Sequence, residues 1–311
     1  DTSTRDGSLA LARGDSVVAT AAGDAARPHG ERLPGDLAAL VASAGLTFAD
    51  IDRFAVAVGP GSSFTPGQRV MALAVPPYGA LAEEALALDL TTYAIPDSLG
   101  DVEAAAMLVT YQTAYVALHR RAAIQPGEVL LVHAGAGGVG SAAIQLGKAA
   151  GARVIATAGG AEKVEVCRQL GADIAIDYRN EDFVKIVKEA TEDRGADVVY
   201  DPVGGDTFDR SRKCIAWEGR LLVIGFASGR IPEAPVNHAL VKNYSILGVY
   251  FARYSVMNPG YLEEVHAELM RLQAAGSIQP LIGNQVALEE APAAIGRLVG
   301  RGTVGKVVVI P

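Results

Sequence analysis

Residues 134–140, Ala-Gly-Ala-Gly-Gly-Val-Gly, are the part of this sequence whose residue types and spacing imply a bound group. Glycine at 135, 137, 138 and 140 lets the backbone turn tightly and approach a pyrophosphate, which a following helix then holds on its positive N-terminus. Groups suited to direct acid–base or nucleophilic chemistry are not arranged in this way. The histidines (29, 119, 133, 238, 266) are scattered, no Ser-His-Asp order or paired carboxylates stand out, and no catalytic residue is assigned. Cys167 and Cys214 form neither a disulfide framework nor a metal-ligand spacing, so no metal is expected. Cys167 shares a helical stripe with Val164 and Leu170 and reads as core; His133, at a strand end beside the turn, reads as structural. A reaction carried by a bound cofactor asks for none of these groups, because the protein then supplies position and electrostatics.

A glycine turn has this meaning only between a strand and a helix. Here Glu128–His133 reads as a buried strand, 138–150 as a helix with Val139, Ala142, Leu146 and Ala149 on one face, and Arg153–Thr157 as the second strand. Alternation continues through a helix over 161–170 closed by Gly171 and a strand over Ile174–Ile176. Asn180 is the expected N-cap of a helix over 181–193. Strand Asp197–Asp201, helix 206–216, strand Arg220–Gly225, a short helix near 238–242 and strand Tyr244–Tyr250 follow. Such alternation predicts a parallel sheet with helices on both faces. Asn258-Pro259 opens an amphipathic helix with Leu262, Val265, Leu269 and Leu272 inward. Strand 281–288, helix 290–299 and strand Val304–Ile310 end the chain. Before the turn, Arg69–Val75 and Ala82–Leu88 read as short strands joined by Pro76-Pro77-Tyr78-Gly79, the edge of a β-rich domain.

The chain has 311 residues, room for about two domains. A net charge of −8 argues against a nucleic-acid or anionic-membrane partner. No apolar run reaches the ~18 residues of a membrane span. No signal peptide is read at the start, and the cytoplasm is the expected location. The chain opens on Asp1 rather than Met, which suggests trimming.

From about residue 57 onward the sequence resembles the zinc-independent quinone oxidoreductases of the medium-chain dehydrogenase/reductase superfamily. The residues that carry the resemblance are Pro66-Gly67-Gln68-Arg69-Val70-Met71-Ala72-Leu73, Ala82-Glu83-Glu84-Ala85, Ile95-Pro96-Asp97, Thr110-Tyr111-Gln112-Thr113-Ala114-Tyr115, Gly137-Gly138-Val139-Gly140, Asp201-Pro202-Val203-Gly204-Gly205, Val223-Ile224-Gly225-Phe226-Ala227 and Gly305-Lys306-Val307-Val308. It implies an α/β protein with a Rossmann doubly wound parallel sheet, a partial GroES-like β-rich domain, and NADPH-dependent hydride transfer to a quinone or activated alkene. It further implies a homodimer through the Rossmann edge strand. Expected domains are 126–251 for NADPH, 63–125 with 252–311 as the remnant GroES-like domain and linking helices, and an atypical α+β segment over 1–62.

An NAD site calls for an acid about 20 residues past the turn. Here Ile155-Ala156-Thr157-Ala158-Gly159-Gly160 supplies none. In the resembled family the residues matching Lys163 and Tyr178 contact the 2′-phosphate of NADPH, and a cation with a phenol suits a dianion. Gly160 stands where the family often has Ser. The resemblance also places Gly135, Ala136, Gly137, Gly138, Val139, Gly140, Gly159, Gly160, Phe226, Ala227, Phe251 and Lys306 at the cofactor, with Thr113 near the nicotinamide.

The first 60 residues depart from that family. Asp1-Thr2-Ser3-Thr4-Arg5, Gly7-Ser8-Leu9-Ala10-Leu11, His29-Gly30-Glu31-Arg32-Leu33, Ala44–Asp52 and Val58-Gly59-Pro60-Gly61-Ser62 resemble the start of the bacterial tRNA threonylcarbamoyladenosine partner protein, of the actin-like ATPase fold. That resemblance implies a β-hairpin, a helix and a strand ending in the Gly-Pro-Gly-Ser turn. Two origins stay open: a fusion near Val58–Phe64, or a divergent GroES-like domain. Three functions follow: a working NADPH oxidoreductase, an NADPH-binding protein with little turnover because its substrate wall is replaced, or an interaction protein linked to tRNA modification.

Overall fold

The computed structural model describes residues 8–13, 16–22, 29–46, 64–65, 67–74, 79–82, 85–300 and 302–311. It divides into two compact units, Asp1–Ala94 and Ile95–Pro311.

In the first unit, β1 (Ser8–Arg13) and β2 (Ser16–Ala22) form an antiparallel hairpin, followed by helix α1 (His29–Ser43). Leu40 and Val41 are buried against Ala19, Ala21, Leu37, Ala44 and Leu46, so one face of the helix closes on the hairpin. The expected strand ahead of Gly59-Pro60-Gly61 lies outside the described residues. β3 (Val70–Ala74) pairs antiparallel with β4 (Ala87–Ala94). The second strand is thus displaced from the expected Ala82–Leu88: Ala80, Leu81 and Ala82 form a bend, and pairing begins where Ala87 meets Ala74.

The second unit begins with α2 (Asp101–Tyr115), which continues as a π-helical stretch over Val116–Arg121. Next come β5 (Val129–Val132), α3 (Gly138–Ala149), β6 (Arg153–Ala158), α4 (Ala161–Gln169), β7 (Ile174–Asp177), α5 (Phe183–Ala190), β8 (Ala196–Asp201), α6 (Gly205–Ser211), β9 (Ile215–Val223), α7 (Val236–Lys242) and β10 (Ser245–Gly248). The six strands form one parallel sheet in the order β10-β9-β8-β5-β6-β7. The chain winds outward from β5 to β7, then restarts on the other side at β8. The crevice at that reversal, beyond the carboxyl ends of β5 and β8, is where open α/β sheets bind ligands.

Both faces of the central strands β5, β6 and β8 are buried, which is why they read as near-continuous apolar runs. Val129 and Leu131 of β5 join Ile155, Ile176, Val199 and Leu221 under Phe183, Val187 and Phe208 of α5 and α6. Leu130 and Val154 point the other way, beneath Gly147 of α3, where a Cβ would stand 2.5 Å from Leu130 Cδ2. α3 is therefore buried continuously from Gly140 to Gly147, whereas Ala149, expected on its inner stripe, is exposed. The stripe was too narrow because α3 is covered on its far side as well. Its Gln145 donates Nε2–H to Tyr111 Oη of α2 at 3.0 Å and to the Gln279 carbonyl at 3.0 Å, and accepts from Gln279 N at 2.6 Å.

α9 (Pro259–Ala274), entered through the short α8 (Tyr254–Met257), buries Leu262, Val265, Leu269 and Leu272 as its period requires. β11 (Ile282–Ala287), α10 (Ala291–Val299) and β12 (Lys306–Ile310) end the chain, β11 and β12 pairing in parallel.

Two helices are shorter than their sequences suggest. Asn180 does not cap α5: its amide donates to Asp177 Oδ2 at 2.8 Å, and the Asp182 carboxylate instead accepts from Val184 N at 2.9 Å. The helix stops at Ala190 because Glu192 and Asp193 take positive φ of 52° and 60°. α6 likewise stops at Ser211, not 216, because Ile215 is drawn into the sheet opposite Ala196. Arg220 is the next β9 residue paired with β8, so Ala216, Trp217, Glu218 and Gly219 bulge between the two register points.

His133 directly follows β5 and is 1% exposed. Ser211 Oγ donates to the Thr207 carbonyl at 2.7 Å, so it accepts from His133 Nε2–H at 2.8 Å. Nδ1 then accepts from the Thr157 hydroxyl at 2.9 Å. This network assigns a neutral imidazole. Burial, with the Arg210 charge second, pushes its pKa down to about 3. The unfolded imidazole protonates near 6.5 and the native one does not, so stability is held above that value and is lost as pH falls from 6.5 toward 3. Denaturant titrations should show the wild type losing about 1 kcal/mol relative to His133→Asn between pH 6.5 and 5.5. Parallel pH profiles for the two proteins would remove His133 from this account.

Candidate functional site

The glycine turn joins β5 to α3 and lies at the switch point between β5 and β8. Ala134 adopts φ of 51°, and its carbonyl accepts from Gly137 N at 2.9 Å. A Cβ on Gly140 would enter the Ala134 carbonyl and come within 2.8 Å of its carbon. One on Gly135 would stand 2.7 Å from Cys167 Sγ and 3.0 Å from Ile144 Cδ1. These glycines let the helix start press directly onto the turn. The first N–H groups of α3 have no intrahelical acceptor and sit at the positive end of the helix. Such an arrangement suits a diphosphate.

Gly305 N donates to the Ala136 carbonyl at 2.8 Å, bringing the start of β12 beside the turn. A Cβ on Gly138 would lie 2.8 Å from Lys306 Cδ and 3.2 Å from Thr110 Cγ2, so the Lys306 stem and α2 flank the helix start.

A second cluster forms where β6 and β7 end. Gly160, with φ of 94°, donates its N–H to Asp177 Oδ1 at 2.9 Å. Arg179 N donates to the same oxygen at 3.1 Å. These bonds, Gly160 N–H foremost, hold the Asp177 carboxyl below the usual range. Asp177 thus stabilises the loop from within, and the end of β6 carries no acid. A Cβ on Gly159 would meet Tyr178 Oη at 2.8 Å and Arg179 Nε at 2.9 Å. A phenol and a guanidinium therefore lie over this glycine pair, and Lys163 is half-buried one turn into α4. Arg179 was not singled out from sequence; the signal was a cation directly following Tyr178.

A third cluster ends β8 and β9. Buried Asp201 accepts from Val203 N at 2.8 Å and Gly204 N at 3.0 Å through Oδ1, while burial raises its pKa. Ala227 N and Ser228 N donate to the Pro202 and Val203 carbonyls, so the two strand ends are laced together. Phe226 is exposed, and a Cβ on Gly204 would stand 2.9 Å from its Cδ1.

The structure therefore brings residues 135–140 together with Lys306, and Gly159 and Gly160 together with Tyr178, all at the carboxyl edge of one sheet. Phe226 and Ala227 occupy the same edge. Phe251, half-buried in a short 3₁₀ turn, follows the edge strand β10. Thr113 is buried and donates its hydroxyl to the Val109 carbonyl at 2.6 Å. Among the described residues no group of three or more His, Cys, Asp or Glu side chains is placed to hold a metal ion.

The strand order and the glycine turn at the reversal define a Rossmann-type dinucleotide-binding fold. Residues 138–267 match the family model described as zinc-binding dehydrogenase. Quinone oxidoreductase-like protein 2 homolog of Nematostella vectensis is 37% identical over 80% of this chain and 68% of its own length. 2-Haloacrylate reductase of a Burkholderia species is 34% identical over 82% of this chain and 77% of its own. The crystal structure of Escherichia coli quinone oxidoreductase complexed with NADPH aligns with a TM-score of 0.74 at 32% identity, covering 80% of this chain and 77% of that one. The chain belongs to the quinone oxidoreductase-like family of medium-chain dehydrogenase/reductases.

Replacing Gly140 with Ala should force the helix start away from the turn. Dinucleotide affinity measured by calorimetry should fall at least tenfold, with a lower Tm. Unchanged affinity would mean that the close approach at Gly140 does not shape the site.

Proposed function

We propose that the chain binds NADPH across the carboxyl edge of its sheet and reduces a quinone or an activated alkene. The carrying observation is the loop at the ends of β6 and β7: Tyr178 and Arg179 lie over Gly159-Gly160, and no acid ends β6. A dianionic 2′-phosphate suits that loop better than a ribose hydroxyl, which forms no charge-assisted pair with it. When bound, NADPH supplies the hydride. The turn and the first N–H groups of α3 hold the diphosphate; Lys163, Tyr178 and Arg179 hold the 2′-phosphate. Phe226 and Ala227 stand at the nicotinamide half, Lys306 beside the glycine turn, and Phe251 near the cofactor. Substrate reduction of this kind needs no metal, and we read the enzyme as zinc-independent. Relatives with quinone oxidoreductase and 2-haloacrylate reductase activities support the substrate class.

Residues 126–251 are read as the NADPH domain, 63–125 with 252–311 as the remnant GroES-like domain and linkers, and 1–62 as the segment akin to the tRNA-modification partner. The hairpin–helix order of β1, β2 and α1 supports the last assignment. No described helix is long and apolar enough to cross a membrane, and the cytoplasm is the proposed location.

β10 is an edge strand, and Ile246, Tyr250, Val236, Leu240 and Val241 on or beside it are exposed apolar residues. An open strand edge rimmed by such residues suits pairing with a second copy. We read the protein as a homodimer through β10. Light scattering should give twice the monomer mass for the wild type and a monomer for Ile246→Asp; two equal masses would remove this strand from the interface.

The activity test is stopped-flow oxidation of NADPH and NADH by a simple quinone, with affinities by calorimetry. NADPH should bind more tightly, and Lys163→Ala or Arg179→Ala should weaken NADPH about tenfold while leaving NADH nearly unchanged, the loss of one charge-assisted contact. Equal losses for both cofactors would exclude the 2′-phosphate assignment. Removing residues 1–56 should leave NADPH affinity intact.

A further inference from the structure

The opposite edge of the sheet carries a second concave site. A cavity of about 280 Å³ opens where β8 and β9 begin, lined by Lys188, Lys213, Lys242, Arg194, Asp193 and Trp217 among others. Lys188 belongs to the last turn of α5, Lys213 follows α6, and Lys242 ends α7. Three elements thus deliver lysines to one hollow, in a chain whose net charge is −8.

The cations are not neutralised by neighbours to the same degree. Arg194 pairs with Asp197. Lys242 Nζ donates to the carbonyls of Arg212, Lys213 and Ile215 at 3.3–3.4 Å, helping to cap the end of α6. Lys188 and Lys213 form no ion pair with a carboxylate of the described residues. Burial, and then the neighbouring charge of Lys188, press the Lys242 ammonium pKa below its ordinary value. Asp193 is the one carboxylate among the lining residues. Like charges gathered in a hollow focus a positive potential that a multivalent anion relieves.

Trp217 stands at this hollow because the β9 bulge pushes it out of the sheet register, leaving it 63% exposed. An exposed indole beside lysines offers a flat apolar surface for a planar organic group.

We propose that this cavity is an anion site for a phosphoryl group of two or more negative charges, held between Lys188 and Lys213 and remote from the cofactor edge. Such a group comes either as a free inorganic phosphate or on a nucleotide, whose base would lie against Trp217.

Trp217 is the only tryptophan of the chain, so its emission reports on this hollow alone. The intact protein, its cofactor edge saturated with NADP⁺ so that the glycine-turn cradle is occupied, is titrated at low ionic strength with inorganic pyrophosphate, with ADP, and with sodium chloride at matched ionic strength. Emission and calorimetric heat are both read. Pyrophosphate should saturate, and chloride should not. The pair Lys188→Ala/Lys213→Ala should weaken binding at least tenfold while NADPH affinity stays unchanged. Lys163→Ala should keep the pyrophosphate response, which separates this site from the 2′-phosphate cluster. Binding of ADP at least tenfold tighter than pyrophosphate, lost in Trp217→Ala, would identify a nucleotide; equal or weaker ADP binding would identify the free ion. Absence of saturable heat, a response matched by chloride, or one retained in the double lysine variant would overturn the proposal.

Discussion

The constraint on which the rest of this unit depends is the contact between the start of α3 and the turn after β5. At Gly140 there is no space for a single methyl group between the helix and the Ala134 carbonyl. Because the helix starts that close, its next turns lie directly on the sheet, and Gly147 settles over Leu130. The sheet is then fixed to α3 at both ends of the helix. The polar supports sit on the other face, where His133 ties β5 to β6 and α6 through two hydroxyl groups. Close packing on one side and a satisfied buried network on the other leave the turn little freedom. A site for a flexible dinucleotide gains from such preorganisation.

The carboxyl edge of the sheet divides the work among its strand ends. The β5 end supplies amide groups and space, the β6 and β7 ends supply a cation and a phenol, and the β8 and β9 ends are laced together by backbone bonds. The chain contributes mostly geometry and charge, which agrees with a family whose chemistry resides in the cofactor. Asp177 shows how local that division is. Its carboxylate sits next to the loop proposed for a phosphate, yet its oxygens accept from Gly160, Arg179 and Asn180, so it acts as a brace for that loop.

Much of this was legible in the sequence where one period or one motif dominated. The stripe Leu262, Val265, Leu269 and Leu272 foretold the buried face of α9, since that helix covers the core with one side only. The glycine pattern foretold the turn, because its spacing has few other uses after a buried strand. Failures came where a nearby partner competed for a group. Asn180 has the chemistry of an N-cap, but the Asp177 carboxylate lies within its reach and Asp182 takes the cap. Residues 212–216 follow a helix without a breaker, yet the pull of Ile215 into the core makes 212–214 a turn and starts the strand at Ile215. Arg179 was hidden because a basic residue after a strand is ordinarily a solvated one; only its place over Gly159 gives it meaning.

Gln145 grips residue 279 by main-chain atoms alone, one accepted and one donated hydrogen bond. Any amino acid with a backbone N–H can stand at 279 and be held equally well. Two residues further on, the Leu281 carbonyl accepts from Lys306 N, so this grip also governs where β12 begins. The terminal segment can therefore drift in sequence over long evolutionary times while the lysine stem beside Gly138 keeps its place. The tolerance is one-sided: position 279 is free to change, and position 145 is not.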